Sequence, residues 1–178
     1  VLRFIYGDNI PESVWTTPVT NSGDEATPAI ELLDAAHQFG ITSLKILAET
    51  KVANDSEITI GNASDLILYA DSKHCALLKE RVLNYFVIHA TEIRKHPSYE
   101  KVKESAHILD ELMEAVVTKK ILRSYTLGDN DVAYDVMSVN LLRTKLNERG
   151  LDLDGSREML IRRLQMWDAS NKKTVVEE

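Results

Sequence analysis

Cysteine is nearly absent: Cys75 is the only one in 178 residues. An internal disulfide is therefore excluded, and a reducing compartment is the natural setting. No CxxC pair and no His/Cys cluster at ligand spacing occurs, so neither a structural zinc site nor any other metal is expected. The sequence calls for no cofactor. No apolar run approaches the roughly 18 residues that a bilayer span requires, so no membrane association is expected. The opening VLRFIYGD carries an apolar run far too short for a secretory leader. It begins at Val1 inside an apolar periodic stretch, which suggests a fragment with further residues upstream. The sequence contains no Gly-rich phosphate loop after a strand, no GxSxG turn and no HExxH. A non-enzymatic protein is expected. His74 beside Cys75 suggests a thiol nucleophile, but adjacent helical residues point about 100° apart, and a small cysteine is more often a buried packing residue. His37 and His89 lie on or beside apolar faces and read as packing histidines.

Hydrophobic residues make up 44% of the chain and charged residues 28%, the balance of a globular protein. The net charge of −7 is unevenly spread. Between Met137 and Lys173 eight basic residues stand against five acids, a net +3 that leaves −10 for the rest. An acidic body with a basic tail points to separate partners for the two parts.

The pattern is helical throughout. TPAIELLDAAHQFGITSLKILAETK, from Thr27 to Lys51, reads as two short helices joined by a tight turn. Ile30, Leu33, Ala36 and His37 line one face of the first, and Pro28 suits its first turn. Gly40 is placed to end it in a left-handed residue, and Thr42 to cap the second. Leu44, Leu47, Ala48 and Lys51 repeat the spacing there. Before this hairpin, Val1 to Tyr6 read as the end of a buried helix. Asp8 to Ala26 is a polar loop with Trp15 as its one large apolar residue, expected to pack over the hairpin. After it, Ala63, Leu66, Ile67 and Ala70 make one helical face, and Leu77, Leu78, Val82, Tyr85, Phe86, His89 and Ile93 a longer one of about five turns. Pro97 to Lys119 is expected to form one more helix, with Ile108, Leu109, Leu112, Met113 and Val116 on its face. Ser124 to Asp135 lacks apolar periodicity and reads as a linker.

The wording ELLDAAHQFGITSLKILAE resembles the last helical hairpin of the BTB (POZ) domain, preceded by the FIY-type motif of Val1 to Tyr6. NASDLILYAD and NYFVIHATEI resemble the BACK-type helical extension of cullin adaptor proteins. The resemblance implies a layout of 1–52 as the C-terminal part of a BTB domain with an inserted loop at 8–26, 53–120 as a BACK-like extension, and 121–136 as a linker. It also implies a protein-interaction role, with a cullin scaffold as partner, a substrate protein of unknown identity, and oligomerisation when the BTB domain is complete. The family's cullin-contact motif lies upstream of this chain. Tyr6, Asp71, Ser72 and His74 remain near the expected interaction surface, where plain packing and solvation is the alternative. Removing most of a BTB domain would leave apolar faces uncovered, so the body alone is expected to be marginal or prone to aggregate.

The tail carries a second module. Ser138 can cap a helix bearing Val139, Leu142 and Leu146, and Gly150 suits its C-terminal end. Ser156 can cap another with Met159, Leu160 and Leu164 inward. SVNLLRTKLNERGLDLDGSREMLIRRL resembles the SAP motif over 137–168, with a polar tail at 169–178. A helix N-terminus offers unpaired N–H groups and a positive dipole end, which attract phosphate. Gly155, Ser156 and Arg157 open the second helix, and Arg143, Arg162 and Arg163 are near in sequence. Relatives of the motif bind duplex DNA, often AT-rich, and a narrow A·T minor groove favours inserted basic side chains. The resemblance thus implies DNA or RNA as a partner and a place in the nucleus, the cytoplasm or both. The alternative is a solvated face in which the arginines pair with Glu148 or Glu158, and Asp152 and Asp154 in the turn would repel phosphate. The fold expected is mostly α, the helical half of a BTB domain with BACK-like helices and then a small SAP-like module. The function expected is an adaptor of a cullin-based ubiquitin ligase with a nucleic-acid-binding tail. The alternative is a BTB–SAP chromatin or transcription-associated protein that oligomerises and holds DNA without a ligase.

Overall fold

The computed structural model describes residues 28–122 and 134–174, together with Ile10 and Trp15. Tyr6, the rest of 1–27 and most of the expected linker lie outside the described residues. Among those described, eight α-helices and a short 3-10 turn account for nearly all regular structure. None of these helices is long and apolar enough to cross a membrane. The chain divides into two compact units, residues 1–57 and 58–178.

The first unit is built on a helical hairpin, α1 (Pro28–Gln38) and α2 (Thr42–Asp55). Leu33 and Ala36 are fully buried on α1, as their spacing requires, while Ile30 and His37 are half-buried. Gly40 does take a left-handed φ of +64°, and the Ile41 N–H reaches back to the Ala36 carbonyl to close the end of α1. Two details of α2 differ from the sequence expectation. Thr42 lies inside the helix, and Ile41 holds the capping position without a side-chain bond. The buried face is Leu44, Ala48 and Val52, whereas Leu47 is exposed and Lys51 half-buried. The cause is a polar stripe: Lys45 and Glu49, one turn apart, are buried there as well. Trp15 is half-buried.

The second unit opens with α3 (Ala63–Ser72) and α4 (Ala76–Ile93), packed antiparallel about a tight turn. Ala63, Ile67 and Ala70 of α3 meet Leu78, Val82, Phe86 and Ile93 of α4, all buried. The long helix departs from helical geometry at His89 (φ −108°, ψ 21°), whose ring lies 4.3 Å from that of Tyr85. Where one helix was expected over 97–119, two form: α5 (Tyr99–Lys103) and α6 (Ala106–Leu122). The break falls at Glu104–Ser105, where the Ser105 carbonyl accepts the Leu109 N–H and starts a new helix. Serine favours such a starting position over a helix interior. Val102 and Ile108 anchor the two helices in the core, but Met113, Val116 and Val117 along α6 stay exposed.

The C-terminal module follows: a 3-10 turn (Tyr134–Val136), α7 (Val139–Glu148) and α8 (Arg157–Thr174). Ser138 caps α7 as expected, its Oγ accepting the Leu141 N–H at 3.4 Å. Gly150 (φ +66°) closes it, with the Leu151 N–H on the Leu146 carbonyl. Met137, Val139, Leu142, Leu146, Leu160, Ile161 and Leu164 form its core, and Ala76 of α4 belongs to the same cluster. Leu77 packs against it too. A module of fewer than about 40 residues rarely buries enough surface to be stable unaided. Here the deficit is met by α4, so the module is seated on the body rather than set apart from it.

The α3–α4 turn carries the backbone outlier. His74 sits at φ +53°, while the Cys75 N–H bonds to the Ala70 carbonyl at 2.8 Å, the pattern of a left-handed helix end. That conformation costs a side chain about 1–2 kcal/mol, more readily borne by histidine than by a β-branched residue. His74→Val is expected to lower stability by about 1–2 kcal/mol, and His74→Gly to leave it unchanged or higher. Equal loss in both, measured by urea denaturation, would refute the assignment of strain to this position.

Candidate nucleic-acid interface

The basic residues of the module are largely occupied with backbone carbonyls of the same module. Arg157 opens α8 and turns back to donate from Nη2 to the carbonyls of Asp135 and Met137, at 2.7 and 2.8 Å. Arg143 is only 7% exposed, and its Nε donates to the Leu153 carbonyl at 3.2 Å. Arg163 braces the turn between the helices. It donates to the carbonyls of Asp152 and Asp154 and pairs with the Asp152 carboxylate at 3.0 Å. Asp152 is thereby neutralised by an arginine of the same module, which softens the repulsion expected from that turn. Arg162 stands differently: it is exposed, and no ion pair or hydrogen bond is described for it among the described residues.

Gly155 and Ser156 form the entry to α8. Gly155 is buried, has φ +119°, and pairs in a parallel bridge with Cys75 at the start of α4. A Cβ at Gly155 would crowd the Met159 side chain at 3.1 Å, and side chains rarely adopt its φ of +119°, so glycine is favoured there. Ser156 gives its hydroxyl to Glu158. Burial pushes the Glu158 carboxyl up, but Ser156, its own backbone N–H and the charges of Lys79 and Arg157 outweigh this and hold it below the usual range. An acid in the first turn of α8 answers the positive helix end from within.

A residue the sequence reading passed over is Glu80. Both its carboxylate oxygens lie 3.2 Å from the Val139 N–H, the first of α7. Burial pushes Glu80 up, and the Val139 N–H and the nearby charges of Arg157 and Arg143 offset only part of that. No spacing signal could have paired residues 59 apart. Arg149 was also missed as a structural group. It stacks over Trp167 at 4.5 Å, pairs with Asp168 at 3.2 Å and donates to the Tyr134 hydroxyl at 3.0 Å. Tyr134 in turn donates to Asp168 at 2.6 Å, so this cluster ties the 3-10 turn to both helices.

On the body, Asp71 is bridged to Glu111 by Lys79, whose Nζ lies 2.6 Å from each carboxylate. His107 completes a trio with these two acids, its Nε2 3.2 Å from Glu111. Three such groups converge as metal ligands would, but the ammonium of Lys79 already supplies the cation. Burial pulls the Lys79 ammonium down, while hydrogen bonds and charge from Asp71 and Glu111 more than reverse this and raise it. Ser72 donates its hydroxyl to the Tyr69 carbonyl, and His74 is exposed beside it. Asp71, Ser72 and His74 thus share one turn, with Asp71 engaged in the ion cluster.

Residues 133–169 match the SAP domain family model. This segment is a SAP domain. Its bounds extend the expected 137–168 to include the 3-10 turn, whose Tyr134 the Arg149 cluster makes integral. About half of the chain is also similar to two mouse (Mus musculus) proteins. TD and POZ domain-containing protein 2 is 28% identical over 91 residues, 51% of this chain and 24% of that protein. TD and POZ domain-containing protein 1 is 25% identical over 91 residues, with the same coverage. The alignment spans about a quarter of the length of these relatives. Their names carry the POZ domain that the hairpin wording resembles.

Two outcomes test this geometry. Lys79→Met leaves two facing carboxylates without their cation and is expected to cost about 1–3 kcal/mol, moderated by the partial exposure of Asp71. A urea midpoint equal to that of the parent would refute the role. For Glu80, a carboxyl raised in the folded state favours folding most when protonated, and that contribution fades as pH rises through its folded value. Glu80→Gln is therefore expected to raise the melting temperature at pH 7, with the gain vanishing below about pH 4. A loss at pH 7 would show that the ionised carboxylate is favoured there.

Proposed function

We propose that this protein is a non-enzymatic adaptor whose POZ-type body engages protein partners and whose SAP domain binds nucleic acid. In fuller form, the body links a substrate protein to a cullin-based ubiquitin ligase, and the tail directs it to DNA or RNA in the nucleus or cytoplasm. The body would comprise 1–52 as the BTB part and 53–120 as BACK-like helices, with Tyr6, Asp71, Ser72 and His74 at the partner surface. In the tail, Arg143, Gly155, Ser156, Arg157, Arg162 and Arg163 are the candidate contacts. The observation that carries the reading is the SAP domain itself, a locally basic unit on an acidic chain. The names of the POZ-containing relatives support the adaptor half.

The alternative keeps the SAP domain on chromatin and uses the body only to oligomerise. Direct binding of a purified cullin to a protein with a complete POZ domain separates the two: saturable binding supports the ligase adaptor, and none supports the chromatin reading.

The nucleic-acid half is tested by fluorescence anisotropy of the whole chain against AT-rich and GC-rich duplexes at several salt concentrations. The whole chain is needed because the SAP core includes Ala76 and Leu77. Binding is expected to weaken steeply with salt, and Arg162→Ala to lower affinity for both duplexes and reduce the salt slope by about 1. Absence of binding at low salt would refute it.

A further inference from the structure

We propose that the SAP domain, as seated on α4, is in a closed form: the Glu80 carboxylate occupies the place a nucleic-acid phosphate would take, so binding requires the domain to lift off the body. The proposal deepens the nucleic-acid reading above and rests on it.

The first N–H groups of α7 have no intrahelical partner, and the end of this ten-residue helix is positive. Ser138 satisfies the Leu141 N–H, and the Val139 N–H is taken by a carboxylate from another helix. Arg143 lies one turn along α7. Arg157 is brought to the same place because its guanidinium bonds the carbonyls of Asp135 and Met137, just before Ser138. The charges of both arginines act on Glu80. An N–H at a helix start with two guanidiniums is a donor set suited to a phosphodiester. In this structure a side chain of the same protein fills it.

The rest of the seam closes the same face. Gly155, at the entry to α8, is buried and bridged to Cys75. Ala76 and Leu77 enter the SAP core beside it. Three of the six candidate contacts, Arg143, Gly155 and Arg157, are therefore held at or beside the seam, while Arg162 remains outside it. Burial disfavours the charged form of Glu80, so the internal anion is held less firmly than its partners alone would hold it. A polyanion that keeps many charges in water and brings one phosphate to this site can compete with it.

The test uses the whole chain and the AT-rich duplex of the previous section. Cys75, the only thiol, is fully buried at the seam. If binding lifts the domain, saturating duplex is expected to speed labelling of Cys75 by a thiol reagent in the unaltered protein. An unchanged or slower rate with duplex bound would overturn the proposal. Leu77→Ala loosens the seam without changing charge, and Glu80→Ala removes the internal anion. Each is expected to tighten duplex binding by about 3- to 10-fold at fixed salt, up to 1.4 kcal/mol. Glu114→Ala, an exposed change of the same charge on α6, is expected to alter affinity less than about twofold. Affinity unchanged or lowered in Leu77→Ala and Glu80→Ala, relative to that control, would overturn the closed-form proposal while leaving nucleic-acid binding intact. No binding by the parent or by any variant would overturn both.

Discussion

The seam between α4 and the SAP domain is the constraint on which the second unit depends. A 37-residue match cannot hide much apolar surface by itself. Its core of four leucines with Met137, Val139 and Ile161 is completed by Ala76 and Leu77, and the open end of α7 is satisfied by Glu80, three residues further on. The same turn of α4 bears Lys79, which is buried between Asp71 and Glu111 and whose charge also acts on Glu158 of the SAP domain. One short stretch, Cys75 to Glu80, therefore serves the body's ion cluster, the domain's core and a helix cap.

Contacts within the SAP domain itself change what its basic residues mean. Here Arg157 ends on two backbone carbonyls, Arg143 is buried, and Arg163 is bound to the turn. Guanidinium groups suit this work, since a planar fork of donors can satisfy several carbonyls that no other side chain reaches. The surface charge of the domain in this arrangement is accordingly lower than its composition suggests. Apolar side chains are also exposed along α6 and α8, Met113, Val117 and Met166 among them.

Much of the local architecture was legible in the residues. Ser138, Gly40 and Gly150 announced helix ends, because caps and left-handed turns are decided by chemistry within five or six residues. The buried faces of α3, α4 and α7 followed from three- and four-residue spacing; on α8 Leu160 and Leu164 are buried as expected, but Met159 is exposed and Ile161 is buried in its stead. The same reasoning failed where a polar residue was buried in company. Lys45 and Glu49 displaced Leu47 and Lys51 from the inner face of α2, and Ser105 split one expected helix into two.

The candidate site divides along the same line. The sequence by itself indicated that the chain is mostly helical and that residues 137–168 carry a SAP-like module, since each of these depends on neighbours close in the chain. Only the tertiary structure decided that Glu80 meets Val139, that Cys75 pairs with Gly155, and that the SAP core extends into α4. Those pairings join residues 59 and 80 positions apart, where no periodicity carries information and only the burial of shared apolar surface brings the groups together.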